Sequence, residues 1–365
     1  MTEFRFRNRL VILISPQTWD HLPVSKHHYA RTLAAVGNEV YFIEPPLFGY
    51  KENTKYNSPE NGVTIVKWGV QVPYWTKFYL PWVYKRKLRE ILGEVREKLD
   101  DKIVLINFDN DSYFFHEDLF KNSLRIFFPV DRLVNKGKEH KSSYDVVFSV
   151  SNQILHGIEH DKKYVIGHAL NPEFSKHAKN KMDYVPDNEN LKNVGYAGHM
   201  SIHSINKELI LSLVEDENEI GFHFWGNYDR EDEFVMRLKA LPNVHFHGVK
   251  TGSELFNALS EMDMLFIAYR ETDRFGMDNS HKVLEYFSTG LPVLSTRLST
   301  YENVSVIEMA DTEKSFRKKF EEIKTNYPDY IGPEICRSRR EWALSNTYRQ
   351  KIEEIEDYIN SAEIK

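Results

Sequence analysis

From Ser280 to Glu285 the chain reads Ser-His-Lys-Val-Leu-Glu, and three of these side chains carry chemistry at helical spacing. Lys282 and Glu285 stand three residues apart, so a helix puts them on one face. If that helix begins near Ser280, Lys282 lies in its first turn, where a cation opposes the macrodipole unless an anion sits beside it. A phosphate is such an anion, and Ser280 would either cap the helix or donate to the phosphate. Glu285 could then accept the two hydroxyls of a ribose. The plainer alternative is an exposed Lys282–Glu285 ion pair. Val283, Leu284 and Phe287 suit the packed side of the helix, and "GLPVL" returns the chain to a sheet.

Elements that could hold such a site recur along the chain. Apolar runs such as "RLVILIS" (9–15), "EVYFIEPP" (39–46), "KIVLINF" (102–108), "LRIFFPV" (124–130) and "DVVFSVS" (145–151) alternate with helical patterns. Alternation of this kind predicts parallel sheets with βαβ crossovers. The polar stretch 173–193 is the expected linker. After it the alternation restarts with "VGYAGHM", "IGFHFWG", "VHFHGV", "MLFIAY" and "PVLST". At 365 residues the chain exceeds the usual reach of a single core. The expectation is two Rossmann-like, doubly wound α/β domains facing a central cleft, with ligands at the carboxyl ends of the strands. The first domain would span 1–172, joined by a returning C-terminal helix at 346–365, and the second 194–345. Gly195 and Gly198 end the first strand of the second array, where missing side chains let backbone amides approach phosphate.

Composition narrows the function classes. Forty-eight Lys and Arg against 54 Asp and Glu give a net charge of −6, so nucleic acid is not an expected partner. One cysteine, Cys336, excludes an intrachain disulfide or a cysteine-rich metal site and fits a reducing compartment. The apolar run near the N-terminus is too short for a signal peptide or a membrane span. "DND" at 109–111 has the form of a metal-binding acidic pair, but such patterns are common and this one sits in the array without the phosphate motifs; His245 and His247 would share a strand face, but no Cys or third ligand lies at metal spacing. No metal is expected. Aromatics interleave with bases in "YWTKFYLPWVYKRKLR" (74–89): Trp75, Phe78, Tyr79, Trp82 and Tyr84 beside Lys77, Lys85, Arg86, Lys87 and Arg89. That pattern suits an anionic bilayer surface, the alternative being a helix that packs its aromatics inward.

The order "VGYAGHM", "FHFWGNYD", "LPNVHFHGVKTGSELFNALSEMDMLFIAY" and "HKVLEYFSTGLPVLST" resembles the nucleotide-sugar-binding domain of GT-B glycosyltransferases. The likeness is to the glycosyltransferase 4 type and to bacterial teichuronic-acid or xanthan-type polysaccharide transferases. It covers Val194 to Thr296 well and is looser over the first 170 residues. It implies transfer of a sugar from a nucleoside diphosphate donor, expected to be UDP-linked, to a hydroxyl of a cell-surface glycan or lipid-linked acceptor, with no cofactor. The donor would be held by Gly198, His199, Val249, Tyr269, Ser280, Lys282 and Glu285, with Trp225 or Tyr269 near the base. Asp131, directly after a strand in "FFPVDRL", is the expected catalytic base. The rival for that role is Asp20, His21, His27 or His28 after the first strand, but Trp19, Asp20 and His21 are expected to bind acceptor, and His27 and His28 to be exposed on the following helix. Retaining members carry a second glutamate at the position of Met277 here, and neither Glu271 nor Asp278 fills it, so inversion is expected. The implied location is the cytoplasm, at the inner face of the plasma membrane. A nucleotide-sugar 2-epimerase and a non-catalytic sugar-nucleotide- or glycan-binding protein remain as other readings of the same frame.

Overall fold

The apolar run near the N-terminus forms strand β1 (Leu10–Ile14), with its last four residues buried. β1 lies parallel to β2 (Glu39–Ile43) on one side and β7 (Ile103–Asn107) on the other. The computed structural model describes residues 5–49, 54–71, 73, 75, 79–97, 103–109, 123–131, 144–270 and 280–364. The chain divides into two units, Met1–Gly167 with Tyr348–Lys365, and His168–Thr347.

In the first unit the main sheet runs β10-β9-β8-β7-β1-β2-β5-β4. It is completed by β4 (Lys55–Glu60), β5 (Val63–Lys67), β8 (Leu124–Phe127), β9 (Val146–Ser149) and β10 (Lys163–Val165), with a separate small pair, β3 (Leu47–Phe48) and β6 (Gly69–Val70). The antiparallel β4–β5 hairpin was not expected from the βα alternation. It turns at Asn61-Gly62, where Gly62 has a φ of 78°, the backbone that an Asn-Gly turn supplies. Helix α1 (Ser25–Ala35) follows β1, and α2 (Pro81–Glu97) and α3 (Asn152–His156) come later in the unit.

The second unit carries α4 (Pro172–Asn180), α5 (Lys207–Asp216), α6 (Glu233–Lys239), α7 (Gly252–Ser260), α8 (Lys282–Thr289), α9 (Glu313–Thr325) and α10 (Pro333–Leu344). The last helix, α11 (Tyr348–Ser361), belongs to the first unit, where Tyr358 stacks on Tyr164 at 4.4 Å and Tyr348 meets Tyr29 edge-on at 5.0 Å. The segment 173–193, expected as a linker, is corrected by α4. Asn171 caps α4, Pro172 opens it, and Phe174 packs edge-on to Phe256 within the second unit. Its polarity misled because only Phe174, Ser175 and Ala178 are buried.

The second sheet is fully parallel in the order β13-β12-β11-β14-β15-β16. Its strands are β11 (Asn193–Ala197), β12 (Gly221–Trp225), β13 (Val244–Phe246), β14 (Met264–Ile267), β15 (Val293–Thr296) and β16 (Glu308–Ala310). Counted from β11 this is the 3-2-1-4-5-6 order of doubly wound sheets, whose strand order reverses between β11 and β14.

Helix α8, which carries Lys282 and Glu285, is tied down at its carboxyl end. Its last turn leaves orphan carbonyls, and two fully buried arginines of α10 supply the donors. Arg340 donates to Thr289 O at 2.7 Å, and to Tyr184 O at 2.8 Å and Met182 O at 3.2 Å. Arg339 donates to Gly290 O at 3.1 Å and Tyr330 O at 2.7 Å. Burial pushes Arg339 down to about 10, so it stays charged at neutral pH, where a cation at a helix C-terminus is favourable. Gly290 has a φ of 84°, and a side chain there would collide with the Arg340 guanidinium. Arg340→Met is therefore expected to cost about 3 kcal/mol or more, because several buried carbonyls lose their donor together. Urea denaturation of the purified variant checks this, and a cost below about 1 kcal/mol would refute the clamp.

Candidate functional site

Ligands of a doubly wound sheet gather at the carboxyl ends of the strands flanking the order reversal. Here those strands are β11, followed at once by Gly198, and β14, followed by Tyr269. Lys282 opens α8 in front of them. Despite its charge it is only 8% exposed, and its Nζ donates to Tyr269 Oη at 2.9 Å. A β-carbon built on Gly198 would lie 2.6 Å from Lys282 Cε and 2.9 Å from Tyr196 Oη. Only glycine lets the lysine lie against that backbone. Burial works to lower the Lys282 pKa, but the Tyr196 and Tyr269 hydroxyls, the hydrogen bond to Tyr269 and the Glu285 charge outweigh it and leave it above the ordinary lysine value. The group is thus a protonated, buried ammonium.

Glu285 is half-buried on the same helix, and its carboxylate makes no hydrogen bond or ion pair with any described residue. The surface ion pair with Lys282 does not form, since the ammonium is turned to Tyr269. Burial raises the Glu285 carboxyl to about 7, against the opposing pull of Lys282. Ser280, expected to cap the helix, lies two residues before Lys282 and does not. His281 holds the cap position without a side-chain bond. Ser280 is instead buried, with its hydroxyl 3.4 Å from Tyr269 Oη and its carbonyl accepting from Tyr301 Oη at 3.1 Å.

The remaining expected residues of this unit sit further out. His199 is exposed, and its Nδ1 accepts from Ser201 N at 3.2 Å. Val249, 51% exposed, follows β13 on the rim of the sheet. Trp225 is core, stacked on His247 at 4.8 Å, which leaves Tyr269 as the aromatic at the site. His223 joins the expected His245 and His247 pair, with Nδ1 2.9 Å from His247 Nε2. Among the described residues no three His, Cys, Asp or Glu side chains are arranged to hold a metal ion. Glu271, Met277, Asp278 and the Asn110-Asp111 half of "DND" lie outside the described residues.

Tyr196 was not singled out in the sequence. Its hydroxyl is buried without a partner beside Lys282, whose ammonium lies 5.8 Å from the Tyr196 ring centre. The available signal was a tyrosine between the two glycines of "VGYAG". A buried, unpaired hydroxyl, a buried ammonium and an unbonded carboxylate thus converge at one sheet end. Polar groups left in this condition cost stability unless a ligand completes them.

A cavity of about 520 Å³ lies at the ends of β14, β15 and β16, lined by Tyr269, Arg270, Arg297, Asn206 and Thr312. Its cations already have partners: Arg270 meets Glu208 at 3.2 Å, and Arg297 meets Glu302 at 2.7 Å.

In the first unit, Asp131 is exposed after β8. The loop after β1 is more structural than expected. Trp19 is buried, stacks edge-on to Phe42 at 4.9 Å and donates its backbone N–H to Glu44 at 2.7 Å. Asp20 is exposed and pairs with Lys67 at 2.8 Å. His21 is exposed, with Nδ1 2.7 Å from Leu22 O. His27, expected on the surface, is fully buried because its ring closes the loop: Nε2 lies 2.9 Å from Thr18 O, and Nδ1 accepts from Val24 N at 3.2 Å. Lys26 was also missed. It sits in the first turn of α1, 3% exposed, its ammonium without a hydrogen bond or ion pair to any described residue. Burial lowers its pKa and the Asp131 charge opposes that.

No protein-family model and no curated protein sequence matches the chain. Solved structures do. Trehalose-6-phosphate synthase from E. coli bound with UDP-2-fluoro glucose aligns at TM-score 0.67 and 9% identity, covering 96% of this chain and 98% of that one. Sucrose-phosphate synthase from Thermosynechococcus elongatus aligns at 0.67 and 12%, covering 97% and 99%. WaaG, a glycosyltransferase involved in lipopolysaccharide biosynthesis, aligns at 0.60 and 13%, covering 96% and 99%. The chain has the GT-B glycosyltransferase fold. At these identities the likeness is one of fold.

If Lys282 is kept for a ligand rather than for folding, Lys282→Met, which fills the same volume without a buried charge, will leave the melting temperature unchanged or raise it. A thermal melt of the ligand-free variant decides. A loss of about 2 kcal/mol or more would make Lys282 a structural residue.

Proposed function

We propose that this chain is a glycosyltransferase whose second unit binds a UDP-sugar and passes the sugar to a hydroxyl of a cell-surface glycan or lipid-linked acceptor. The observation that carries the proposal is the buried Lys282 ammonium lying against the Gly198 backbone at the strand-order reversal. A diphosphate brings two negative charges to that point, and Lys282, with backbone amides after β11, would offset them. Glu285 would accept the ribose diol. UDP is the nucleotide of choice because a structure of the same fold holds UDP-2-fluoro glucose.

As the acceptor oxygen bonds to the anomeric carbon, the bond to the β-phosphate oxygen breaks and negative charge builds on the departing UDP. Lys282 is already in place to stabilise it, with no reorganisation at the moment of transfer. The acceptor proton passes to a carboxylate, for which Asp131 of the first unit is the candidate. With Lys282 supplying the positive charge at the diphosphate, no metal is needed, and full turnover in excess chelator is expected. Inversion of the anomeric centre is proposed from the methionine at position 277, and NMR of the product linkage reports it.

The direct test is a thermal-shift panel of UDP, GDP, ADP and dTDP. UDP at about 100 times its Kd should stabilise the protein by about 2.7 kcal/mol. Lys282→Ala should abolish that shift, and no stabilisation by any nucleotide would end the proposal. Asp131→Asn should lower kcat by about 10²- to 10⁴-fold while UDP binding is retained.

The pH dependence follows from Glu285, whose carboxyl lies at about 7 in the empty site. Below that pH it is protonated and a poorer acceptor for the ribose diol. Affinity should therefore rise with pH. Between pH 6 and 8 the wild type should gain up to about tenfold in UDP affinity beyond the gain of Glu285→Gln, as measured by calorimetry. Equal gains in the two proteins would remove Glu285 from the site.

A further inference from the structure

The described exposed large hydrophobic residues are not scattered evenly. Trp75 is 54% exposed, Tyr79 77%, Leu80 40% and Trp82 62%, all within eight residues of the first unit. Single exposed apolar side chains need no explanation, but a cluster of this kind marks a surface that meets something. The expectation that the aromatics of this segment pack inward fails for these residues. The inward side of α2 is occupied instead by Ile91 and Leu92, both fully buried in the unit's core.

Basic residues share the exposed side. Trp82, Arg86 and Arg89 stand at i, i+4 and i+7 on α2, and all three are exposed. The sequence from 75 to 89 contains five Lys and Arg and no Asp or Glu, within a chain whose net charge is −6. The local sign is thus opposite to the global one. Arg86 lies 3.5 Å from Glu90, but its side chain is 78% exposed, so this pair neutralises little of the field.

We propose that this face is a docking surface for an anionic lipid bilayer, with Trp75, Tyr79, Leu80 and Trp82 entering the interface and Arg86 and Arg89 meeting headgroup charge. The complementarity carries the choice of partner. Tryptophan and tyrosine prefer the polar–apolar boundary of a membrane, and arginines adjoining them gain from a negative surface potential. No helix among the described residues is long and apolar enough to cross a membrane, so the attachment is peripheral. The proposal is independent of which nucleotide or sugar the second unit binds, because its test reads lipid binding alone.

The test is co-sedimentation of the full chain with vesicles of neutral phosphatidylcholine and with vesicles containing phosphatidylserine or phosphatidylglycerol, at low and high salt. Binding is expected only to the anionic vesicles and should weaken as salt rises. Arg86→Ala with Arg89→Ala should weaken it about 25-fold, at about fivefold per charge. Trp75→Ser with Trp82→Ser should reduce it to background. A second readout needs no variant: brominated anionic lipid should quench the wild-type tryptophan fluorescence, because Trp19, Trp68 and Trp225 are buried and Trp342 is half-buried, while Trp75 and Trp82 are exposed. No binding to anionic vesicles, binding unchanged in both double variants, or absence of quenching would each overturn the proposal. So would a wild-type dimer in light scattering that the tryptophan variant dissociates, since the face would then meet a second copy of this chain.

Discussion

An ammonium group held away from water, with a tyrosine hydroxyl as its one hydrogen-bond partner among the described residues, is the constraint around which the second unit is arranged. Burying Lys282 is costly, and the chain meets the cost with several features at once. Gly198 leaves room for the lysine stem, Tyr269 accepts from Nζ, and Glu285 stands one turn along without discharging it. Helix α8 can hold that cation at its amino end because Arg339 and Arg340 satisfy carbonyls at its carboxyl end. The two ends belong to one design: a helix fixed by buried hydrogen bonds presents an unfavourable charge at a fixed point. Polar groups held ready in this way bind an anion without paying to assemble the site.

The first unit is organised on a similar plan with different chemistry. Its sheet also reverses order, between β1 and β7, and the loop after β1 leads into α1, where another buried lysine, Lys26, occupies the first turn. The aromatic and histidine residues of that loop hold the loop's shape. Trp19 and His27 serve packing and closing hydrogen bonds, while Asp131, after β8, remains exposed.

Much of this was legible in the sequence, for reasons that can be traced to particular residues. Lys282 and Glu285 stood out because a cation in a first helical turn conflicts with the macrodipole, and the conflict is visible without coordinates. The parallel sheets followed from apolar runs of strand length between helical patterns. What was missed has physical causes too. Helix α4 looked like a linker because a helix that buries three residues can be polar almost throughout. The β4–β5 hairpin was announced by Asn61-Gly62, but its strand β4 is exposed along most of its length and has no apolar alternation to detect. Ser280 was assigned to the cap because helix starts are blurred by one or two residues, and here the helix begins at Lys282 itself. Tyr196, His27 and Lys26 needed the fold, since burial without a partner, or burial with a closing bond, is not a property of local sequence.

The central claim is that Lys282, Gly198 and Glu285 form one diphosphate and ribose site, and a crystal structure of the protein with UDP tests it most directly. The β-phosphate should lie within about 2.7–3.1 Å of Lys282 Nζ, with the ribose hydroxyls on Glu285. UDP bound instead in the cavity lined by Arg270 and Arg297, away from Lys282 Nζ, would contradict it.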